Sequence, residues 1–379
     1  MGGVEPKEKS KVRQTTRRQQ LSAALRSCLF VFFPFLRISD FEFRIFSWLK
    51  AALCLCCLLA ACHTPQASER VDLAQLSPET EAAINRGLKS LLDQQNHDGS
   101  IGERFPVAGT ALTLMAFMVQ GSFPEKPPNG EPLKRALDFL LTSNRRGTGF
   151  LGVSMYEHGL ATLALSEAWG MSSRKDDIRE ALKRAVKVIV VAQNSEGGWR
   201  YRPDSHDADI SVTVMQAVAL ASAQEAGIAV PEVTIQNAIK YVKACATPSG
   251  GFMYQIHQQG PGFARTAAGV LSLFMCGARD SKEAQQGLSY LVSFNNRKFE
   301  SSEHYFYAHY YAMQVMYQAG EDYYQVWYPK IRDALLHRQQ NDGSFSGMGR
   351  SESNAPACDT AFAILILGVP YRFLPIYQR

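Results

Sequence analysis

RAVKVIVVAQNSEGGW, residues 184–199, sets a basic and a small residue, Arg184 and Ala185, ahead of an apolar pair, Val188 and Ile189, and then Gln193, Gly197 and Trp199. The same order recurs along the chain. Arg86, Gly87, Leu91, Gln95, Gly99 and Ile101 repeat it, and so do Arg135, Ala136, Phe139, Leu140, Asn144 and Phe150, with Thr148 in place of the first glycine. Ala238, Tyr241, Val242, Gly250 and Phe252 form a fourth copy. Gly287, Tyr290, Leu291 and Asn295 form a fifth, and Lys330, Leu335, Gln339, Gly343 and Phe345 a sixth. The glutamine slot falls at 95, 144, 193, 246, 295 and 339, a period of about fifty residues that marks a tandem-repeat architecture.

Each unit reads as two helices. The first, as in IREALKRAVKVIVVAQ, carries charge along one side and is stopped by glycine. The second is apolar on nearly every face: TALTLMAFMV, GLATLALSEAW, VTVMQAVALASA, TAAGVLSLFMCGA, YYAMQVMYQAG and TAFAILILGV. A helix apolar all round is buried all round. Six amphipathic helices alternating with six apolar ones therefore predict an all-α domain of two concentric layers. Stacked helix pairs also build open solenoids, so the repeat by itself leaves closure undecided.

The Gln193, Gly197, Trp199 signature with its upstream Arg184 and Ala185 resembles the QW repeat of squalene and terpene cyclases, and the related repeat of protein prenyltransferase beta subunits. The resemblance covers residues 81–379. It implies a single closed (α/α)6 toroid of six helical hairpins around an apolar cavity in which family members bind isoprenoid chains. The C-terminal GVPYRFLPIYQR also looks like uncharacterised bacterial proteins of this repeat group. A fold signal of this kind does not settle function, since one fold hosts unrelated activities.

Asp207-Ala208-Asp209 stands immediately before the third apolar helix. It is similar to the DxDD motif with which squalene-hopene cyclases protonate an alkene. Asp209 takes the place of the proton donor, while Ile210 replaces the last aspartate, so the activating partner of that motif is missing. Zinc prenyltransferases hold their metal through Asp, Cys and His. No DxC pair precedes an apolar helix here, and Cys358-Asp359 has the wrong order for a shared tetrahedral site. No metal, nucleotide or flavin motif is present, and no cofactor is expected.

Aligning the apolar helices on Thr110, Thr162, Thr213, Thr266, Tyr311 and Thr360 places His158 and Asp209 in one slot of adjacent repeats. The expected catalytic set is Asp209 as the acid with Asp207 and His158 tuning it, because an aspartic acid hydrogen-bonded to a histidine makes an acid pair. Around it the expected ligand-binding rim holds Tyr156, Glu157, Arg265, Tyr307, His309, Tyr310 and Asp359. The tyrosines suit cationic intermediates through their ring faces. Each residue also has a structural reading: Asp209 as a helix N-cap, His158 as a satisfied core histidine, and the aromatic run 305–311 as core packing.

The net charge of +5 comes from the N-terminal segment. Residues 1–61 hold 10 of the 40 basic and 4 of the 35 acidic side chains, which leaves a body of net charge −1. A neutral body without a basic stripe excludes nucleic acid as the expected partner. SWLKAALCLCCLLAAC, residues 47–62, joins Lys50 to an apolar run and then to small residues before Cys62, a signal-peptide profile. Leu59-Ala60-Ala61-Cys62 resembles the bacterial lipobox, which implies acylation of Cys62 and an extracytoplasmic, membrane-anchored lipoprotein. An ordinary cleaved signal, giving a secreted or periplasmic protein, is the other reading. The long basic stretch upstream matches neither a signal n-region nor a domain, so an overextended start is expected. The expected boundaries are 1–61 for the upstream segment, 62–80 for a tether and 81–379 for the toroid.

The functional expectation is a cyclase-like toroid with an isoprenoid or other apolar ligand at its centre. Two other classes remain open: a lipid-binding or scaffold lipoprotein without catalysis, and a polysaccharide lyase or hydrolase using paired carboxylates and Arg265.

Overall fold

The computed structural model describes residues 75–144, 147–258, 260–294, 304–346 and 355–377. Cys62, the signal-like segment and most of the tether lie outside the described residues. Among the described residues twelve α-helices alternate between two layers, with no named strand. The outer helices are α1 (Pro78–Asp93), α3 (Gly130–Thr142), α5 (Lys175–Ala192), α7 (Glu232–Ala244), α9 (Lys282–Phe294) and α11 (Glu321–Leu336). The inner helices are α2 (Pro106–Met118), α4 (Met155–Trp169), α6 (Ile210–Glu225), α8 (Phe263–Met275), α10 (Tyr305–Ala319) and α12 (Pro356–Leu367). The first helix begins ahead of position 81 because Ser77 caps it, its hydroxyl accepting from the Thr80 N–H at 3.2 Å.

Burial follows the sequence pattern. On α5 only Ile178, Ala181, Leu182, Ala185, Val186, Ile189 and Ala192 are buried, the three- and four-residue stripe of a surface helix. On α2 every residue from Val107 to Met118 is buried. Each inner helix packs on the next around the ring, and the last, α12, packs on the first, α2. The ring is closed.

The repeat signature is the staple that closes it. The Gln193 side-chain N–H groups donate to its own turn at the Gly197 carbonyl and to the following outer helix at the Thr234 carbonyl, both at 2.8 Å. Gln95 does the same to Gly99 and Pro132, and Arg135 donates to its side-chain oxygen at 2.6 Å. Gln339 in the last repeat donates to Gly343 at 2.9 Å and to Ala83 of α1 at 2.8 Å, while Arg86 donates back to it. The interaction between consecutive repeats is thus reused between last and first. The turn glycine permits this close approach. At Gly197, with φ +94°, an added Cβ would sit 2.4 Å from the Asn237 carbonyl oxygen, and at Gly343 it would sit 2.5 Å from that of Arg86.

In the second repeat the register differs from the sequence reading by one residue. Gly149, with φ +89°, fills the glycine slot against Arg184, and Leu151 is the buried wedge, pairing with Asn144 as Ile101 pairs with Gln95. Phe150 is half-buried and stacks near His158 instead. The other wedges, Ile101, Trp199, Phe252 and Phe345, are fully buried.

The chain ends in two 3-10 turns, Val369–Tyr371 and Pro375–Tyr377, the second packed against α10. The Ile376 N–H donates to Glu167 at 3.2 Å and its carbonyl accepts from Gln318 at 3.3 Å. Glu167 and Gln318 lie near the C-terminal ends of α4 and α10, so this segment crosses the end of the ring opposite the inner-helix N-termini. No helix among the described residues is long and apolar enough to cross a membrane.

Candidate active site at the ring mouth

The inner-helix N-termini form the other end, and the polar groups collect there. Asp209 is the N-cap of α6, held extended at φ −135°, ψ 157°, with Oδ1 accepting from the Val212 N–H at 2.8 Å. Its side chain is 0% exposed, and Oδ2 lies 3.5 Å from Arg200 Nη1 without a hydrogen bond between them. Burial pushes the carboxyl up to about 6, against the opposing pull of the Val212 N–H, the Arg200 charge and the Tyr254 hydroxyl. Arg200 lies between two rings, 5.1 Å from the centre of Tyr201 and 5.6 Å from that of Tyr254, whose hydroxyls are 2.7 Å apart. Its Nε is 3.5 Å from Asp207, an exposed carboxylate that accepts from Gln255 at 3.0 Å.

Tyr156 from α4 and Tyr307 from α10 converge beside Ser211 at the start of α6, and burial pushes both phenols above their ordinary value. In ring order α4 and α10 lie on opposite sides, so these side chains meet across the axis. Both rings are partly buried against the core. One layer further in, the ring is packed. The Tyr311 hydroxyl reaches Met215 Sδ on α6 at 2.7 Å, Tyr310 lies 4.9 Å from Phe362, and Leu160, Leu163, Met215, Tyr310 and Tyr311 are buried. The accessible polar and aromatic surface at this end is the mouth layer.

Residues 110–301 and 227–370 match the prenyltransferase alpha-alpha toroid domain. The chain belongs to that family. No curated protein matches the sequence. Among solved structures it is similar to an inactive variant of the alpha-1,6-mannanase GH76A of Salegentibacter sp. HEL1_6 in complex with alpha-1,6-mannotriose, with TM-score 0.59, 10% identity, and coverage of 78% of this chain and 99% of that one. It is also similar to the type II terpene cyclase MstE of Scytonema in complex with merosterolic acid A, with TM-score 0.51, 15% identity, and coverage of 78% and 98%. At these identities the likeness is one of fold.

In this prenyltransferase-type toroid Asp209, Asp207, Tyr156 and Tyr307 come together. His158 does not join them. Its Nδ1 accepts from the Leu151 N–H at 3.0 Å and its Nε2 pairs with the Ala185 carbonyl at 3.1 Å, which leaves neither nitrogen for Asp209. The pairing expected from sequence fails because the alignment slipped one helical turn. In four other repeats the wedge N–H is received by a threonine hydroxyl, from Ile101 to Thr110, Trp199 to Thr213, Phe252 to Thr266 and Phe345 to Thr360. His158 fills that threonine role, and the true counterpart of Asp209 is the α4 cap Ser154. Burial holds the imidazole down at about 4, so it stays neutral.

His309 occupies the fifth position of α10, as Thr110 and Thr360 do in their helices, and is buried among the rings of Phe263, Tyr305 and Trp327. Tyr310 belongs to the packed layer below the mouth. Arg265 folds back over its own helix start, close enough that a Cβ on Gly262 would lie 2.7 Å from Nη2. Glu157 is buried with Oε2 accepting from the Val153 N–H at 2.8 Å, and it lies with Asp359 near Cys358, whose thiol burial pushes up to about 12. These carboxylates therefore gather at the α12 side of the mouth. The sequence reading missed Arg200, Tyr201, Tyr254, Ser211 and Gln255. A signal existed: Tyr201 and Tyr254 each stand two residues after a wedge, Trp199 and Phe252.

At the opposite end Glu167 is buried between the Ser222 hydroxyl at 2.7 Å and the Ile376 N–H, with Tyr310 nearby, and burial raises it from 4.5 to about 7. The unfolded chain releases this proton near 4.5 and the folded chain near 7. Between those values the folded state binds more protons, so stability falls as pH rises through that window and is flat above it. The contribution is on the order of 3 kcal/mol. Asp209 acts in the same direction, so the comparison with Glu167→Gln isolates the effect. Urea unfolding between pH 4.5 and 8 should show a shallower decline for the variant; identical pH slopes would remove Glu167 as the cause.

Proposed function

We propose that the ring mouth is an acid site for an apolar, isoprenoid-type ligand, with Asp209 as the proton donor. One observation carries this reading: a fully buried carboxyl, raised towards neutrality, with Oδ2 unused by the fold and four tyrosines around it. A protonated carboxyl in an aromatic setting is what alkene protonation requires. The Oδ2–H bond breaks, a C–H bond forms from the alkene π pair, and the resulting cation faces the rings of Tyr156, Tyr201, Tyr254 and Tyr307. Arg200 and the Tyr254 hydroxyl then stabilise the carboxylate left behind, and the cation is quenched by losing a proton from an adjacent carbon to water. The packed layer below means that one end of the ligand enters while the rest lies over the rim.

Glycoside hydrolysis needs two carboxyls flanking one bond. Here Asp207 turns outward to Gln255, so it does not flank a bond with Asp209. The exposed Tyr201 ring, at 42%, nevertheless favours a glycan at the rim as a second reading. Cys62 acylation would anchor the protein at an extracytoplasmic membrane surface, near an apolar supply.

The test is to extract the purified full chain with organic solvent, identify copurifying lipid by mass spectrometry, and then incubate it with polyprenyl alkenes and with mannan oligosaccharides. An isoprenoid extract or a new cyclised or isomerised product supports the proposal. A clean extract with no prenyl conversion, or cleavage of the oligosaccharide, removes it.

A further inference from the structure

Two buried polar atoms at the mouth are left without a hydrogen bond, and they are complementary. Arg200 Nη1 is a donor and Asp209 Oδ2 is an acceptor or, when protonated, a donor; they stand 3.5 Å apart. That separation is too long for the pair to satisfy each other well. Each bears the desolvation cost of an unmade bond, which a suitable ligand atom would relieve. Two further facts say that the geometry is held. Arg200 is fixed on one side by Asp207, itself anchored by Gln255, and on its faces by Tyr201 and Tyr254. Asp209 is fixed by its cap bond to Val212 and by its own N–H, which donates to the Trp199 carbonyl at 3.0 Å.

An oxygen atom about 2.8 Å from each of two atoms 3.5 Å apart makes an ordinary triangle of hydrogen bonds. A hydrocarbon double bond leaves the Arg200 donor unmet, and a bulky oxyanion would face both carboxyls. We infer that Arg200 Nη1 and Asp209 Oδ2 form a recognition site for a single neutral oxygen, a hydroxyl or ketone, at the end of an otherwise apolar ligand. The ligand oxygen, hydroxyl or ketone, accepts from Arg200 Nη1 and from protonated Asp209 Oδ2, the protonation state the proposed acid role uses. The inference rests on the proposed apolar-ligand reading and narrows it: the end that enters the mouth is oxygenated, and the apolar remainder lies over the tyrosines.

The experiment compares farnesol with farnesene, an alcohol and a hydrocarbon of closely matched C15 skeleton, binding to the full chain in detergent, followed by tryptophan fluorescence and checked by equilibrium dialysis. The alcohol is expected to bind about tenfold more tightly or better, the worth of one satisfied buried donor. Arg200→Met is expected to bring the ratio of farnesol to farnesene affinity to about one. Should Arg200→Met fail to fold, Arg200→Lys keeps the charge, lacks Nη1 and should lose the ratio as well. Equal affinities in the native chain, or an alcohol preference that survives both substitutions, overturn the oxygen site alone. Binding of neither molecule overturns the apolar-ligand reading and this inference with it.

Discussion

Asp209→Asn is expected to abolish turnover while leaving the fold in place. The residue has two jobs on two different oxygens. Oδ1 caps α6 through the Val212 N–H, and Oδ2 faces Arg200 at the mouth. Asparagine is as good an N-cap as aspartate, so the amide oxygen keeps the cap bond. It is also nearly isosteric and neutral, which suits a site where burial already disfavours the charge. What it cannot do is deliver a proton. Loss of a general acid costs about 10²–10⁴ in rate, against a change in stability of less than about 1 kcal/mol. Asp209→Ala separates the roles from the other side, because it removes the cap too and adds about 1 kcal/mol of destabilisation. The pH dependence has a definite sign: the protonated form is the reagent, so native turnover should decline as pH rises through about 6. Product formation by gas chromatography and melting temperature by fluorimetry check both halves. An asparagine variant that turns over at the native rate removes Asp209 from the chemistry.

Trp199→Ala should cost about 3–5 kcal/mol of stability, as large-to-small changes of fully buried aromatic residues do. Trp199 is 0% exposed and its indole N–H donates to the Ile189 carbonyl at 2.7 Å, so truncation leaves a cavity and an orphaned acceptor together. Against a total of about 5–15 kcal/mol for a native domain, this is a large share. It also reaches the site. The Trp199 N–H donates to the Thr213 hydroxyl at 3.1 Å, and its carbonyl receives the Asp209 N–H, so the wedge sets where the α6 cap sits. Urea denaturation should show a lower midpoint with an unchanged slope; a midpoint within about 0.5 kcal/mol of native would mean that the repeats do not depend on their wedges.

How much of this could be read from the letters differs between scaffold and site. Burial pattern is a local property: the all-apolar run of α2 and the one-sided stripe of α5 each announce their layer within a single helix. Wedge and turn glycine recur through the described repeats for the same reason, since each solves one packing problem again, and glutamine fills its slot in three of them. Closure was not local. It depends on Gln339 and Gly343 meeting Ala83 and Arg86, some 250 residues away, and only the resemblance to the toroid family anticipated it.

The site was half legible. Asp207-Ala208-Asp209 stood out because a cap aspartate before an apolar helix is visible in one stretch of sequence. Its partners were not. The distance along the chain from wedge N–H to receiving side chain is 9, 7, 14, 14 and 15 residues in successive described repeats, so aligning on a shared threonine slipped by a turn and chose His158 as partner. Sequence by itself determined the number of hairpins, the layer of each helix and the place of Asp209 at the start of an inner helix, because periodic burial is written residue by residue. The tertiary structure alone decided that Arg200 and the tyrosines of four different repeats gather near Asp209 and that His158 does not, because contacts across a ring depend on loop lengths and closure that no local pattern records.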